Sequence, residues 1–249
     1  MRLDKMISNL GIATRSEIKK IIKAGRVKVN GVVVSDASIH IKDDDTVLLD
    51  DEEIQSKDYI YLLMDKPVNV ITAMEDKRLQ CVGDFLSPEL KAKKVSPVGR
   101  LDYHTTGLLI ITNDGEFSHR MTSPKYHLPK TYLVTYSGNR LTNKQVEEAS
   151  SGMTLHDTDE VIKLKPSVLE LGEDNGDYHT CKLTLTEGKT HQVRRMISSW
   201  NCEVIELRRI SIGSLSIGDI PEDDNSIYPI RELDFSEINQ LKLELKMND

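Results

Sequence analysis

The chain has 249 residues, enough for one large or two smaller domains. Its 38% hydrophobic and 29% charged residues suit a folded protein with a sizeable core, and no apolar run approaches the ~18 residues that a membrane-spanning helix needs. The net charge of -7 argues against a nucleic-acid partner only if it is evenly spread, and it is not. Residues 1–42 hold nine Lys and Arg against three acids, which leaves +6 there and -13 in the remainder. A basic segment on an acidic body reads as a polyanion-binding module or, more blandly, as a solvated helix face. Cys81, Cys181 and Cys202 are an odd, widely spaced set that defines neither a disulfide framework nor a metal site. With no apolar leader at the N-terminus, a cytoplasmic protein is expected.

Leu3, Met6, Ile7 and Leu10 follow a helical period that Gly11 closes. Thr14 with Glu17 reads as the capping box of a second helix, whose stripe is Ile18, Ile21 and Ile22 and whose stop is Gly25. Lys19, Lys20 and Lys23 lie on that helix, with Arg26 and Lys28 just after it. VKVNGVVV is a hairpin turning at Asn30-Gly31, and a strand over 45–49 completes a unit of residues 1–57, with an acidic linker over 51–59. A second domain is expected over 58–236. It begins with the strand YIYLLMDKP, and a basic loop over 91–97 precedes a buried strand over 107–113. KTYLVTY is a strand and residues 142–151 a helix. Strands near 161–170 and 179–186 are joined by a polar turn over 172–177. VRRMISSW is a helix, EVIELRRISIG a strand, and 237–249 a charged helix or tail. Many strands with few interspersed helices predict an α+β fold with a largely antiparallel sheet.

Several functional signals fail on spacing. Gly188-Lys189-Thr190 mimics the end of a phosphate-binding loop, but Leu183 stands where the first glycine is required. The seven histidines show no paired ligand spacing, and no GxSxG elbow is present. Neither a metal nor another cofactor is therefore expected. In GRLDYHTTGLLIITNDG, Asp102 sits in a loop leading into a buried strand, which on chemistry alone is more often a turn-former than a reactive carboxylate.

That stretch closely resembles the GRLDxxTxGLLLLTNDG signature of the RsuA-type pseudouridine synthases. SPKYHLPKTYLV resembles the family's KTY strand, and TEGKTHQVRRM with EVIELRRISIG resembles its closing helix and strand, in the family's order. The first 50 residues resemble the S4 RNA-binding module that this family carries at its N-terminus. The resemblance implies that Asp102 is the essential aspartate, acting as nucleophile or as base toward the ribose. It implies that Arg194 pairs with Asp102, that Tyr132 stacks on the target base and that Leu207 forms an apolar wall. Arg100 would fill the gap left by an extruded nucleotide, and Lys130, Arg195, Arg208 and Arg209 are candidate phosphate contacts. Lys19, Lys20 and Lys23 would dock RNA.

His191-Gln192-Val193 and Thr122-Ser123-Pro124 resemble the small-subunit branch, whereas enzymes of large-subunit RNA usually carry Arg-Gln before the helix arginine. The expected partner is ribosomal RNA, as small-subunit RNA or an assembly intermediate, and the expected state is a monomer. The same reaction on large-subunit RNA, or an inactive RNA-binding assembly factor, are the alternatives.

Overall fold

The computed structural model describes residues 2–9, 13, 15–42, 45–54, 59–156, 161–219 and 230–247. The chain divides into two units, residues 1–59 and 60–249. In the first, α1 (Leu3–Asn9) and α2 (Arg15–Lys23) bury Leu3, Met6, Ile7, Ile18 and Ile22 against Val27 and Val47. The helix boundary expected at Gly11 and Thr14 lies outside the described residues, as do positions 55–58 of the expected linker. β1 (Val27–Val29) and β2 (Val32–Val33) form the expected hairpin. Asn30 and Gly31 both take positive φ, 51° and 80°, as a two-residue turn matched to strand twist requires. β3 (Val47–Leu49) and β4 (Glu52–Glu53) complete a four-stranded sheet.

The second unit is built on a nine-stranded mixed sheet among the described residues. Its central strands are β5 (Tyr61–Lys66), β7 (Thr105–Thr112) and β8 (Lys130–Gly138), with β6 (Ser96–Pro97) beside β7. β9 (Thr154–His156) and β10 (Val161–Lys163) form a separate ribbon. β11 (Val168–Asp174), β12 (His179–Leu185), β13 (Cys202–Ile212), β14 (Leu215–Ser216) and β15 (Ile230–Glu232) complete the main sheet. The order is β11-β12-β8-β13-β7-β5-β15, antiparallel throughout except where β13 runs parallel to β7. The helices are α3 (Pro88–Ala92), α4 (Gly115–Thr122), α5 (Asn143–Ser151), α6 (Gln192–Ser199) and α7 (Phe235–Glu244). No described helix is long and apolar enough to cross a membrane.

Four sequence expectations change. The strand over 161–170 is two strands, because Pro166 has no N–H to give a ladder and falls between them. Part of the basic loop over 91–97 is the end of α3, started by Ser87, whose side chain accepts from Leu90 N. The sequence TNDG, read as a strand end, also starts α4: Asp114 Oδ1 caps Glu116 and Phe117, and its Oδ2 accepts from the Tyr61 hydroxyl at 2.7 Å. Finally, of the charged helix or tail expected over 237–249 the structure forms the helix, which starts earlier, at Phe235, and also carries core residues. Asp234 and Glu237 form a capping box at the start of α7, and Leu241 and Leu245 are fully buried with Phe117 and Leu63. Residues 248–249 lie outside the described residues.

Candidate active site

One face of the sheet carries the site. Across the β8–β13 ladder Tyr132 faces Arg209 and Val134 faces Leu207, and across β13–β7 Leu207 pairs with Thr105 and Arg209 with Gly107. Opposed residues share a face, so Tyr132, Leu207 and Thr105 converge above the sheet. Gly107 makes this register possible: its φ is 102°, and a Cβ there would lie 2.3 Å from the Arg209 carbonyl oxygen.

A cavity of about 510 Å³ opens on this face, of a size suited to a nucleotide. Asp102, Arg100, Tyr132 and Leu207 line it, together with the loop from Glu187 to His191. Asp102 is held through its backbone neighbours. Thr72 Oγ1 donates to the Leu101 carbonyl at 2.7 Å and accepts from Leu101 N, and Asn69 N donates to the Tyr103 carbonyl at 2.9 Å. Thr105 N donates to the Asp102 carbonyl at 3.0 Å, and Arg194 Nη2 to the His104 carbonyl at 3.2 Å. The opposite loop is braced by Gln192, whose Oε1 accepts from Lys189 N at 3.0 Å and whose Nε2 donates to Glu187 Oε1 at 3.0 Å. The loop thus lines the cavity, braced by Gln192. The buried Thr105 Oγ1 has no hydrogen-bond partner among the described residues and lies on the cavity floor.

The placement of the sequence-predicted residues is uneven. Arg194 does not pair with the Asp102 carboxylate: its guanidinium is taken up by the carbonyls of His104 and, at 3.5 Å, Val204. His191 faces the carboxylate instead, with Nε2 3.6 Å from Asp102 Oδ1. It stands at the start of α6 in the left-handed region, φ 49°, which turns the chain sharply there. Arg208 is removed from the cavity, because successive strand residues point to opposite faces and it forms an ion pair with Asp65 on the other side. Arg195 lies on α6 and lines neither this cavity nor its neighbour. Lys130 and Arg209 line an adjoining pocket that shares Arg100 and Tyr132 with the main cavity.

Sequence reasoning missed Lys66. It is fully buried at the end of β5, donates to the carbonyls of Pro67 and Val70 at 2.9 and 2.6 Å, and has its pKa pushed down to about 8 by burial, a shift that the charge of Asp102 opposes. A lysine closing an apolar strand before a proline carries no sequence mark of this role. In the first unit Lys19, Lys20 and Lys23 are exposed on α2, with no ion-pair partner among the described residues. Arg26 and Lys28 are instead paired with Asp50 and Asp51, which thins the basic surface expected there.

Residues 60–199 match the RNA pseudouridylate synthase family, and residues 1–47 match the S4 domain. The chain is 35% identical to ribosomal small subunit pseudouridine synthase A of Haemophilus influenzae, over 97% of this chain and 99% of that protein. It is 33% identical to ribosomal large subunit pseudouridine synthase B of Bacillus subtilis, over 97% and 95%. A crystal structure of a pseudouridylate synthase, 34% identical, superposes with a TM-score of 0.65 over 97% of this chain and 99% of that one. A cavity at the strand following GRLD, an S4 module ahead of it and likeness along nearly the whole chain converge: the protein belongs to the RNA pseudouridylate synthase family and is an RNA uridine isomerase of the RsuA type.

Proposed function

We propose that the enzyme converts one uridine of small-subunit ribosomal RNA to pseudouridine, with Asp102 as the reactive carboxylate, acting in the cytoplasm as a monomer. The observation that carries this reading is the Asp102 carboxylate at the wall of the 510 Å³ cavity, with Tyr132 and Leu207 beside it and His191 at 3.6 Å. Isomerisation breaks the bond from ribose C1′ to N1, turns the uracil, and joins C1′ to C5, with loss of the C5 hydrogen and gain of a proton at N1. The ring of Tyr132 offers a flat face to the turning base, and Leu207 closes the apolar wall. Asp102, 42% exposed at its side chain, faces the sugar as nucleophile or as base.

The uridine must leave its stack to enter, and exposed Arg100 at the cavity mouth would compensate part of that cost. Arg194 acts by positioning, since it holds the His104 carbonyl two residues beyond Asp102. Lys19, Lys20 and Lys23 offer the RNA an exposed cationic helix face.

The small-subunit assignment is supported by His191-Gln192-Val193 and Thr122-Ser123-Pro124, and by likeness to the Haemophilus influenzae enzyme of that substrate. The near-equal likeness to a large-subunit enzyme keeps large-subunit RNA as the second reading. Tritium release from RNA carrying [5-³H]uridine separates them. One equivalent from small-subunit RNA is expected, free or partly assembled. Release only from large-subunit RNA overturns the substrate, and none from either overturns the activity.

A further inference from the structure

Among the described residues, three buried polar side chains line the main cavity: Thr105, Glu187 and Gln192. Glu187 and Gln192 are committed to the loop they brace, through Lys165 N, Lys189 N and each other. Thr105 is not. It is 2% exposed, and its Oγ1 has no hydrogen-bond partner among the described residues. The other threonines toward the two ends of β7 show what this position lacks. Thr112 Oγ1 accepts from Asp114 N at 3.0 Å, and Thr106 Oγ1 donates to the Leu207 carbonyl at 3.4 Å. If strand propensity alone chose the residue at 105, valine would serve as well and bury no unpaired hydroxyl. A hydroxyl shut away from water here is satisfied only by a group that enters the cavity.

The position decides which part of a nucleotide that is. Thr105 N donates to the Asp102 carbonyl at 3.0 Å, which closes the turn that carries the carboxylate, and the β7–β13 register sets Thr105 against Leu207. Thr105 therefore stands between the residue that faces the sugar and the wall that faces the base. Isomerisation turns the uracil so that C5 replaces N1, and the same turn exchanges its two carbonyls. A hydrogen bond fixed on the base would be broken by that motion, whereas one on the ribose persists. Within an RNA strand the 3′ and 5′ oxygens are esterified, so the 2′-hydroxyl is the free one, and it both donates and accepts.

We propose that Thr105 Oγ1 binds the 2′-hydroxyl of the target uridine, holding the ribose in place while the base turns and favouring RNA over DNA. The inference rests on the reading of the main cavity as the uridine site.

The test is an affinity cycle in Asp102→Asn, where no turnover intervenes. The probes are two RNAs of the sequence that wild type modifies, carrying uridine or 2′-deoxyuridine at the modified position. With Thr105 present the uridine RNA should bind more tightly, and Thr105→Val should cut that preference by about tenfold, the worth of one hydrogen bond. Thr105→Ser should retain it. The unfolding midpoint of Thr105→Val should be unchanged or higher, since the hydroxyl it removes is unpaired in the free protein. An unchanged preference, or equal weakening on both RNAs, overturns the ribose contact. If Thr105→Val does not fold, Thr105→Ala takes its place in the same cycle. Failure of the underlying reading shows differently: wild type then releases no tritium from [5-³H]uridine RNA, or Asp102→Asn still does, and either result removes this inference as well.

Discussion

Asp102 and His191 meet in a setting that is largely wet, their side chains 42% and 58% exposed. Exposed ion pairs contribute at most about 1 kcal/mol, a factor of about five in rate if all of it acts in the transition state. His191→Gln should therefore lower single-turnover pseudouridine formation by less than about fivefold, and a loss of a hundredfold would make His191 part of the chemistry. Lys66 is the opposite case, a cation with no exposure and a pKa near 8 rather than 10.5. Between these values the unfolded chain binds a proton that the folded chain does not, so this residue makes stability rise with pH from about 8 to about 10.5. The full gain approaches ~3 kcal/mol for a shift of this size. Urea unfolding across that window should show it as a difference between wild type and Lys66→Met, and parallel curves for the two proteins would exclude it. The loop that carries Asp102 ahead of a buried strand was legible because that pattern is local. Lys66 was not, since its significance lies in a burial that only the paired strands and the 67–70 loop create.

The junction of β7 and β13 shows how an element places a side chain. The parallel register sets Leu207 against Thr105 and Arg209 against Gly107, and the missing Cβ at 107 admits the Arg209 backbone. Gly107→Ala combines a positive φ with a backbone overlap and should cost about 2–4 kcal/mol in urea unfolding. Gly115→Ala, in the first turn of α4 with open space around it, should be neutral or slightly stabilising. Equal effects of the two would remove the register argument. The strand over 202–212 was evident from its apolar and charged alternation, yet Arg208 and Arg209 were grouped as like phosphate contacts. Strand period alone sends them to opposite faces, but which of them faces the cavity depends on register with β7 and β8, which no local pattern encodes. The core-facing side of α7 was not legible for a similar reason. The apolar positions Leu241 and Leu245 become a helix face only because a core with Phe117 is there to receive them.

At the scale of the whole molecule, net charge misleads in both directions. The chain is acidic, and within its basic segment Arg2, Arg26 and Lys28 are committed to Asp4, Asp50 and Asp51. Among the described side chains of α2, Lys19, Lys20 and Lys23 are the cations without an ion-pair partner, and the proposed function gives these three to RNA. Replacing all three by Gln should weaken RNA binding and reduce the slope of log K against log salt by about 2 to 3. An unchanged slope would move the docking surface elsewhere. The division into a small helical-hairpin unit and a sheet-based unit was readable from the hairpin and helix signals. The pinning of the Asp102 loop by Thr72, Asn69 and Arg194 was not, because it joins segments from three distant parts of the chain.

In the proposed function a carboxylate held in this way performs the isomerisation. Single-turnover pseudouridine formation on small-subunit RNA by wild type and Asp102→Asn, with RNA affinity and unfolding midpoint measured on the same samples, tests it most directly. At least a hundredfold loss of product is expected with affinity and stability unchanged, in the range for a group acting in proton transfer or as the nucleophile. Turnover by Asp102→Asn within about tenfold of wild type would contradict it.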